Sequence, residues 1–295
     1  MTADDHQSLV IFATYQAQPT LTEDDELFAR ALERRGARVR GMPWDDKAMA
    51  WSTANAVVIR STWDYHHRLA EYLAWVERVS AATTLHNDAR VVKWNSHKTY
   101  LGELAREGVP VIHTVFASAG ADLDLEAVAR THGWHDVVVK PAVSNNAHET
   151  RRFPAGGRGE AQAHLDRLLP VRDVMIQPHL AELAEQGELS LLFARGRFTH
   201  AVRRRSALVD GHVMPKSAAA EAPPAAHRCA ERVLAAAQAL TGVSPDDYLY
   251  ARVDLAPSGA DFLLLELELI EPSLFLHHAP AAAEQYADAL LRTSS

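Results

Sequence analysis

The chain has little of several things that would place it in common classes. It contains a single cysteine, Cys229, in 295 residues. No internal disulfide can form, and its alanine-rich helical surroundings make it a small core filler. No apolar run approaches the roughly 20 residues of a membrane span. There is no GxxxxGK[ST], no GxGxxG, no GxSxG and no HExxH, so a P-loop, a nucleophile elbow and a zincin helix are excluded. None of the 16 histidines stands at metal-ligand spacing, and His277-His278 is too isolated to build a zinc site. Positive charge is in deficit, with a net charge of −8. That argues against nucleic acid as a partner, and the run Arg203-Arg204-Arg205 is too short to reverse it. The start, MTADDHQSLVIF, is acidic where a signal peptide is basic, so a cytoplasmic location is expected. Lysine is scarce as well: Lys47, Lys93, Lys98, Lys140 and Lys216 stand against 25 arginines. Genomic base composition explains the bias, and it makes each remaining lysine informative. A site that needs a compact point charge for a phosphate resists replacement by arginine.

A hydrophobic fraction of 47% with 23% charged residues suits a soluble globular protein of one large or two to three small domains. The pattern is α/β, and α+β in parts. Residues 8–14 read as a buried strand. Thr22 caps a helix with Asp25 at the capping-box distance, and Gly36 stops it. Strands follow near 37–42 and 57–59, then a helix over 67–80. This alternation predicts an open βαβ sheet over residues 1–95. Its ligand loops are Thr14-Tyr15 and Ser61-Thr62-Trp63-Asp64-Tyr65. A second region, 96–185, has a helix capped by Asn95, with Lys98 in its first turn. It continues with an exposed-edge strand at 109–112, a helix near 124–132, and strands at 137–141 and 174–178. A third region, 186–295, has strands at 188–194 and 197–204, a loop over 206–224, a helix over 225–241, a hairpin over 250–272 and a last helix over 279–292. The Ala/Pro-rich stretch 217–226 is the expected mobile segment.

The hairpin YARVDLAPSGADFLLLELELIEP is the most informative stretch, with its turn expected at Pro257, Ser258 and Gly259. Arg252 and Asp254 share a face of one strand, and Glu266 and Glu268 share a face of the other, with leucines between. Unpaired charges on such strands cost too much to keep. A divalent cation such as Mg²⁺, which takes carboxylate oxygens and brings phosphates with it, resolves the cost. Ion pairing with arginine on a half-exposed sheet is the plainer alternative.

Weaker signals surround it. Lys140 ends an apolar strand, VVVKP, before the small-residue loop Ala142 to Ala147, where Ser144 and Asn145 lie. Backbone N–H groups there can cradle a phosphate, although an ordinary strand-end lysine fits equally. Lys98, at a helix start, opposes the helix dipole unless an anion sits nearby. Gln177-Pro178-His179-Leu180 ends a strand that can meet an adenine edge, and Glu188 can meet ribose hydroxyls. Without other support a plain linker explains both. Arg203 and Arg205 share a face, so they either neutralise phosphate or form a solvated basic edge. His200 reads as a structural histidine.

Taken in order along the chain, these residues resemble the ATP-grasp ligases. The motifs are Lys98 with Lys140, QPHL followed by GELS, RVD and LLELELIEPS, and they span nearly the whole chain. The segment RSTWDYHHR is similar to that of small stand-alone bacterial members. The resemblance implies three domains, 1–95, 96–185 and 186–295, with ATP held between the second and third. It implies that Lys98 and Lys140 contact phosphates beside Ser144 and Asn145. Gln177, His179 and Leu180 would line the adenine pocket, and Glu188 would take the ribose. Asp254, Glu266 and Glu268 would hold two Mg²⁺ ions, and Arg252 would steady the oxyanion of acyl transfer. Two departures stand out. Many members carry Asn where this chain has Glu268, which makes Glu271 a substitute ligand. Many have Glu or Lys where it has Gln177-Pro178.

The resemblance further implies that a carboxylate is activated as an acyl phosphate and attacked by nitrogen. The substrate would sit among Tyr15, Ser61, Thr62, Trp63, Asp64, Arg252 and Ser273, a small polar pocket suited to an amino-acid-sized molecule. In length and composition the chain is similar to cyclo-ligases that close O-ureido-D-serine to D-cycloserine. An amino-acid or dipeptide ligase and a non-catalytic nucleotide-binding scaffold are the alternatives. A homodimer is left open.

Overall fold

Leu9, Ile11 and Ala13 point one way from the first strand, and Val10 and Phe12 point the other; both sets are buried. That pattern belongs to a parallel strand covered on both faces. The computed structural model describes residues 7–145, 147–205 and 216–292. Asn146 of the small-residue loop, and positions 206–215 of the loop expected after the 197–204 strand, lie outside these residues. The first sheet is parallel, in the order β2-β1-β3-β4, built from β1 (Leu9–Thr14), β2 (Arg38–Pro43), β3 (Ala56–Ile59) and β4 (Thr84–His86). Helix α1 (Glu23–Glu33) covers one face, with Phe28 and Leu32 on Val10 and Phe12. Helix α2 (Leu69–Ala82) covers the other, with Tyr72, Trp75 and Val79 on Ile11 and Ile59. As expected, the Thr22 hydroxyl accepts from the Asp25 N–H at 3.1 Å, and Gly36 follows the helix at φ +86°. Because β1 lies between β2 and β3, the loops leaving β1 and β3 part at a topological switch point.

Short helices α3 (Ala89–Asn95) and α4 (Tyr100–Arg106) lead to the second sheet. Asn95 does not cap α4. It ends α3, buried, and its side chain bonds Leu267 O at 2.8 Å and Leu269 N at 2.9 Å. Lys98 is therefore not in a helical first turn but in the bend between the two helices. Residues 109–112 are not an exposed edge: Val109 and Ile112 are buried, and Val111 makes a single parallel bridge to Leu264. The second sheet is antiparallel, in the order β5-β8-β6-β7: β5 (Val115–Ala117), β6 (Val137–Pro141), β7 (Arg151–Phe153) and β8 (Val174–Pro178). Helices α5 (Leu125–His132) and α6 (Arg158–Leu168) cover the face of Val137, Val139 and Ile176. Val138 and Lys140, paired with Gln177 and Met175, occupy the opposite face.

After helix α7 (Ala181–Gln186), the third sheet is antiparallel, in the order β11-β10-β9-β12-β13. It contains β9 (Glu188–Ala194), β10 (Arg197–Arg204), β11 (Ser217–Ala220), β12 (Ala251–Ser258) and β13 (Asp261–Glu268). Helix α8 (Pro224–Thr241) packs Ala230, Val233 and Ala237 against Leu191, Val253 and Leu267. Residues 217–226 are thus not a loop, since they make an edge strand and the first turn of α8. The hairpin turn is one step later than expected. Pro257 and Ser258 still pair with Phe262 and Asp261, and Gly259 supplies the positive φ of +61°. The last helix, α9 (Ala282–Leu291), returns to α1 and shares its core through Tyr286 and Phe28. Among the described residues no helix is long and apolar enough to cross a membrane.

Candidate active site

Strand register assembles the charged face. Arg252 lies opposite Glu268 and Asp254 opposite Glu266; Asp254 also lies opposite Ser190, and Arg204 opposite Glu188. Paired residues share a face, so these seven side chains stand together while their neighbours enter the α8 core. Asp254 is the hub. Its Oδ1 accepts from Ser190 Oγ at 2.6 Å and Arg252 Nε at 2.9 Å. Its Oδ2 accepts from Arg252 Nη2 at 2.9 Å and Arg204 Nη2 at 2.8 Å. Arg252 also donates to Glu268 and, through Nη1, to Ser273 O at 3.2 Å. Arg204 reaches Glu188 at 3.0 Å. Both guanidinium groups lie over the Phe275 ring, at 5.4 and 5.5 Å.

Lys98 joins this sheet to the second one. Its Nζ lies 3.0 Å from Glu266 Oε1 and donates to Ser144 O at 2.6 Å. Its backbone N–H is held by Ala142 O at 2.8 Å. The small-residue loop after β6 is therefore tied to the hairpin through one lysine. Asn145 adds a second tie, from Nδ2 to Glu271 Oε1 at 2.8 Å. Buried Lys140 ends β6, and burial lowers its ammonium to about 8, against the pull of Glu266.

The acids feel their confinement. Burial raises Glu188, with Arg204 opposing. It pushes Glu268 up to about 7 despite Arg252, with Asp254 and Glu266 adding to the rise. It lifts Glu271 well above the ordinary carboxylate range, with Glu268 contributing. Burial alone would raise Asp254 too, but Arg252 and Arg204 outweigh it and hold that carboxyl well below the usual range. Burial is the main cause of each rise, and neighbouring carboxylates add to it.

The other expected residues divide. The Gln177 side chain is buried and donates to Thr114 Oγ1 at 2.8 Å, so it does not point freely into a pocket. His179 N–H bonds Asp136 O at 2.9 Å, and Leu180 precedes α7. Tyr15 and Trp63 face each other with ring centroids 6.3 Å apart, where the β1 and β3 loops part. Thr62 is fully buried and shares a hydrogen bond with Tyr72 OH at 3.2 Å. Asp64 accepts from Trp44 Nε1 at 2.8 Å and Arg68 Nη2 at 3.0 Å. Thr62 thus braces its loop from within, while Asp64 is tied by two donors and keeps 23% of its side chain exposed. Ser61 Oγ and Arg60 Nη1 are buried with no partner among the described residues. Tyr250 OH donates toward Ile59 O at 2.5 Å and Ile270 O at 2.8 Å, which fixes the β3 loop against the hairpin exit.

Two features escape the sequence. Arg204, not Arg203 or Arg205, turns toward the carboxylates, while Arg203 bonds Gln186 O on the outside. Pairing with Glu188 decides which alternate set faces the site, and that register is a fact of the sheet rather than of either strand alone. The second is a gathering of histidines that no ligand spacing in the sequence announces. His66, His67 and His148 bring ring nitrogens to within 4.8 Å of one another. Burial, with His67 and His148 beside it, lowers the His66 imidazole to about 4.

Comparison with known proteins gives the class. A RimK-domain ATP-grasp protein from Sphaerobacter thermophilus superposes with a TM-score of 0.70 at 15% identity, covering 96% of this chain and 100% of that one. D-alanine–D-alanine ligase from Bacillus anthracis gives 0.64 at 12% identity, covering 97% of each. These are likenesses of fold, and they show that the chain has the ATP-grasp fold. The crystal structure of D-cycloserine synthetase DcsG superposes with a TM-score of 0.88 at 31% identity, over 96% of this chain and 98% of that one. The cycloserine biosynthesis protein DcsG of Streptomyces lavendulae is 36% identical over 260 residues, which is 84% of this chain and 86% of that protein. Residues 10–87 match the family described as the N-terminal domain of D-cycloserine synthetase DcsG. The chain belongs to the D-cycloserine synthetase family.

ATP and Mg²⁺ are the cofactors of this class; the ATP-grasp ligase PsnB, which shares the fold, was solved with Mg and ADP. Glu266 and Glu268 fit a magnesium site: they are carboxylates on one face of β13, across from Asp254 and Arg252, and their side chains keep 29% and 26% exposure. Asp254 fits less directly, since both of its oxygens are already bonded and its side chain is only 2% exposed.

Proposed function

We propose that this protein is an ADP-forming ligase that cyclises O-ureido-D-serine to D-cycloserine. The observation that carries the reading is Lys98, which meets Ser144 O and Glu266 at once. It makes one continuous wall of a phosphate-binding loop and a metal-binding hairpin. Similarity to DcsG over most of the chain supports the choice of substrate.

In this reading Lys98 and Lys140 neutralise the phosphates, and Arg204 exchanges its carboxylate partners for phosphate oxygen. Glu266 and Glu268, with Asp254 beside them, would hold two Mg²⁺ ions. A magnesium ion held there would supply positive charge to offset that of the phosphates. Phosphoryl transfer needs positioning and charge more than a protein nucleophile, which suits a wall without a free Ser, Cys or His at its centre. The substrate carboxylate attacks the γ-phosphorus, and ADP leaves. The nitrogen bound to oxygen in the same molecule then attacks the acyl carbon, and phosphate departs. Arg252 faces the oxyanion that forms. The product lacks the carbamoyl group of the substrate, so hydrolytic loss of that group accompanies ring closure. Tyr15 and Trp63 line the substrate side, with Ser273 held by Arg252. Gln177, His179 and Leu180 border the adenine through their backbone, and Glu188 takes the ribose.

The test is ADP release with O-ureido-D-serine, with the product identified by mass. Stoichiometric ADP and cycloserine are expected. Turnover only with paired amino acids would sink the cyclisation and favour an intermolecular ligase.

A further inference from the structure

His66 and His67 lie in the 3₁₀ turn Tyr65–His67 that follows the β3 loop. His148 lies beyond Asn145, on the loop after β6. The ring centroids are 3.9 Å apart for His66 and His67, 5.3 Å for His66 and His148, and 5.1 Å for His67 and His148. Both ring nitrogens of His66 are shielded from water; the Trp63 backbone engages one, and the other has no partner among the described residues. A ring nitrogen cut off from water and left unpaired keeps its desolvation cost. That nitrogen, with three imidazoles whose ring nitrogens lie within 4.8 Å of one another, points to a ligand.

The loop is built to hold His148 there. Its neighbours Ala147 and Glu149 take φ of 54° and 55°, a left-handed conformation that residues with a Cβ avoid. Glu149 anchors the far end through Arg167 at 2.6 Å and Arg172 at 3.1 Å. Its Oε2 lies 3.9 Å from His148 Nε2. Imidazole nitrogen suits Zn²⁺, Co²⁺, Ni²⁺ and Cu²⁺. Three imidazoles with a fourth position open to water form a familiar zinc donor set. Mg²⁺ asks for oxygen ligands, so this cluster differs in kind from the hairpin carboxylates.

We infer that His66, His67 and His148 bind one transition-metal ion of the zinc class. The ion joins the β3 loop of the first sheet to the β6 loop of the second. It would fix the gap between the substrate-side loop and the loop that Lys98 holds at Ser144.

The full-length protein is dialysed against Zn²⁺ in excess Mg²⁺ and its metal content measured. Co²⁺ is then substituted and the visible spectrum recorded. One equivalent of Zn²⁺ and the intense bands of four-coordinate Co²⁺ are expected. His148→Ala and His67→Gln should each weaken Zn²⁺ binding more than about 10-fold, since even outer-shell changes cost about that much. His67 is exposed, so its variant keeps the fold, and circular dichroism checks this. Glu266→Gln should leave the Zn²⁺ stoichiometry unchanged. Sub-stoichiometric zinc, or unchanged affinity in both histidine variants, overturns the site. The readout is metal content and spectrum, so it stands or falls apart from any ligase assay.

Discussion

Asp254 and Glu266 face the same cleft but do different work, and substitution separates them. Asp254 is held by two guanidinium groups and a hydroxyl in a dry setting. Breaking one side of such a buried network costs about 3–5 kcal/mol. Asp254→Ala should therefore lower the denaturant midpoint as well as ATP turnover. Glu266→Gln, at a partly exposed position, should leave the midpoint near wild type and remove turnover. Arg252→Met should lower kcat by about 10²–10³, the cost of one preorganised oxyanion partner, with KM for ATP less affected. Lys140 gives the pH signature. Burial lowers its ammonium to about 8, so the free protein loses this charge as pH rises through that value. A phosphate restores it, and nucleotide binding should take up a proton above pH 8. Calorimetry in two buffers of different ionisation enthalpy reads that uptake. For folding the sign is the same as for a paired carboxylate, because the folded value lies below the unfolded one in both cases. The unfolded lysine keeps its proton to higher pH, so this group's contribution to stability grows between about pH 8 and 10.5.

At the scale of elements, β9 and β10 decide which arginine enters the site. Gly187, at φ +76°, precedes Glu188, and a Cβ there would collide with the Arg204 carbonyl oxygen. Gly187→Ala should cost more than about 1 kcal/mol and displace Arg204 with it. A lower thermal midpoint and a raised KM for ATP, both measured on the purified variant, are the expected outcomes. The regular elements were legible because their cues are local. Thr22 and Gly36 bracket α1, alternation marks β9 and β12, and apolar periodicity marks α2. The short elements were not. β4 and α3 carry too few residues to show a period, and Asn95 offers a capping side chain that tertiary bonds to Leu267 and Leu269 claim instead. Residues 217–220 read as loop because alanine favours no strand, yet β10 supplies the partner.

Across the whole molecule, the division at 1–95, 96–185 and 186–295 is a proposal about units of folding. Helix α9 from the last unit completes the core of the first, and Arg60 reaches from β3 to Asp25 at 2.7 Å and Pro272 O at 3.0 Å. A fragment of residues 1–95 would expose Val10, Phe12 and Phe28, and it should fail to show a cooperative thermal transition alone. Adding residues 186–295 in trans should recover helicity if the units are real. The sequence by itself determined the chemistry on offer. Charges on apolar strands, two scarce lysines at element ends and alternating β patterns are local facts, fixed by the cost of burying unpaired groups. Tertiary structure alone decided the partners. It put Arg204 rather than its neighbours on Asp254, withdrew Thr62 into a bracing role, and brought His148 to His66 and His67. Those outcomes depend on strand register and on loops from different sheets meeting, and no single stretch of chain carries that information.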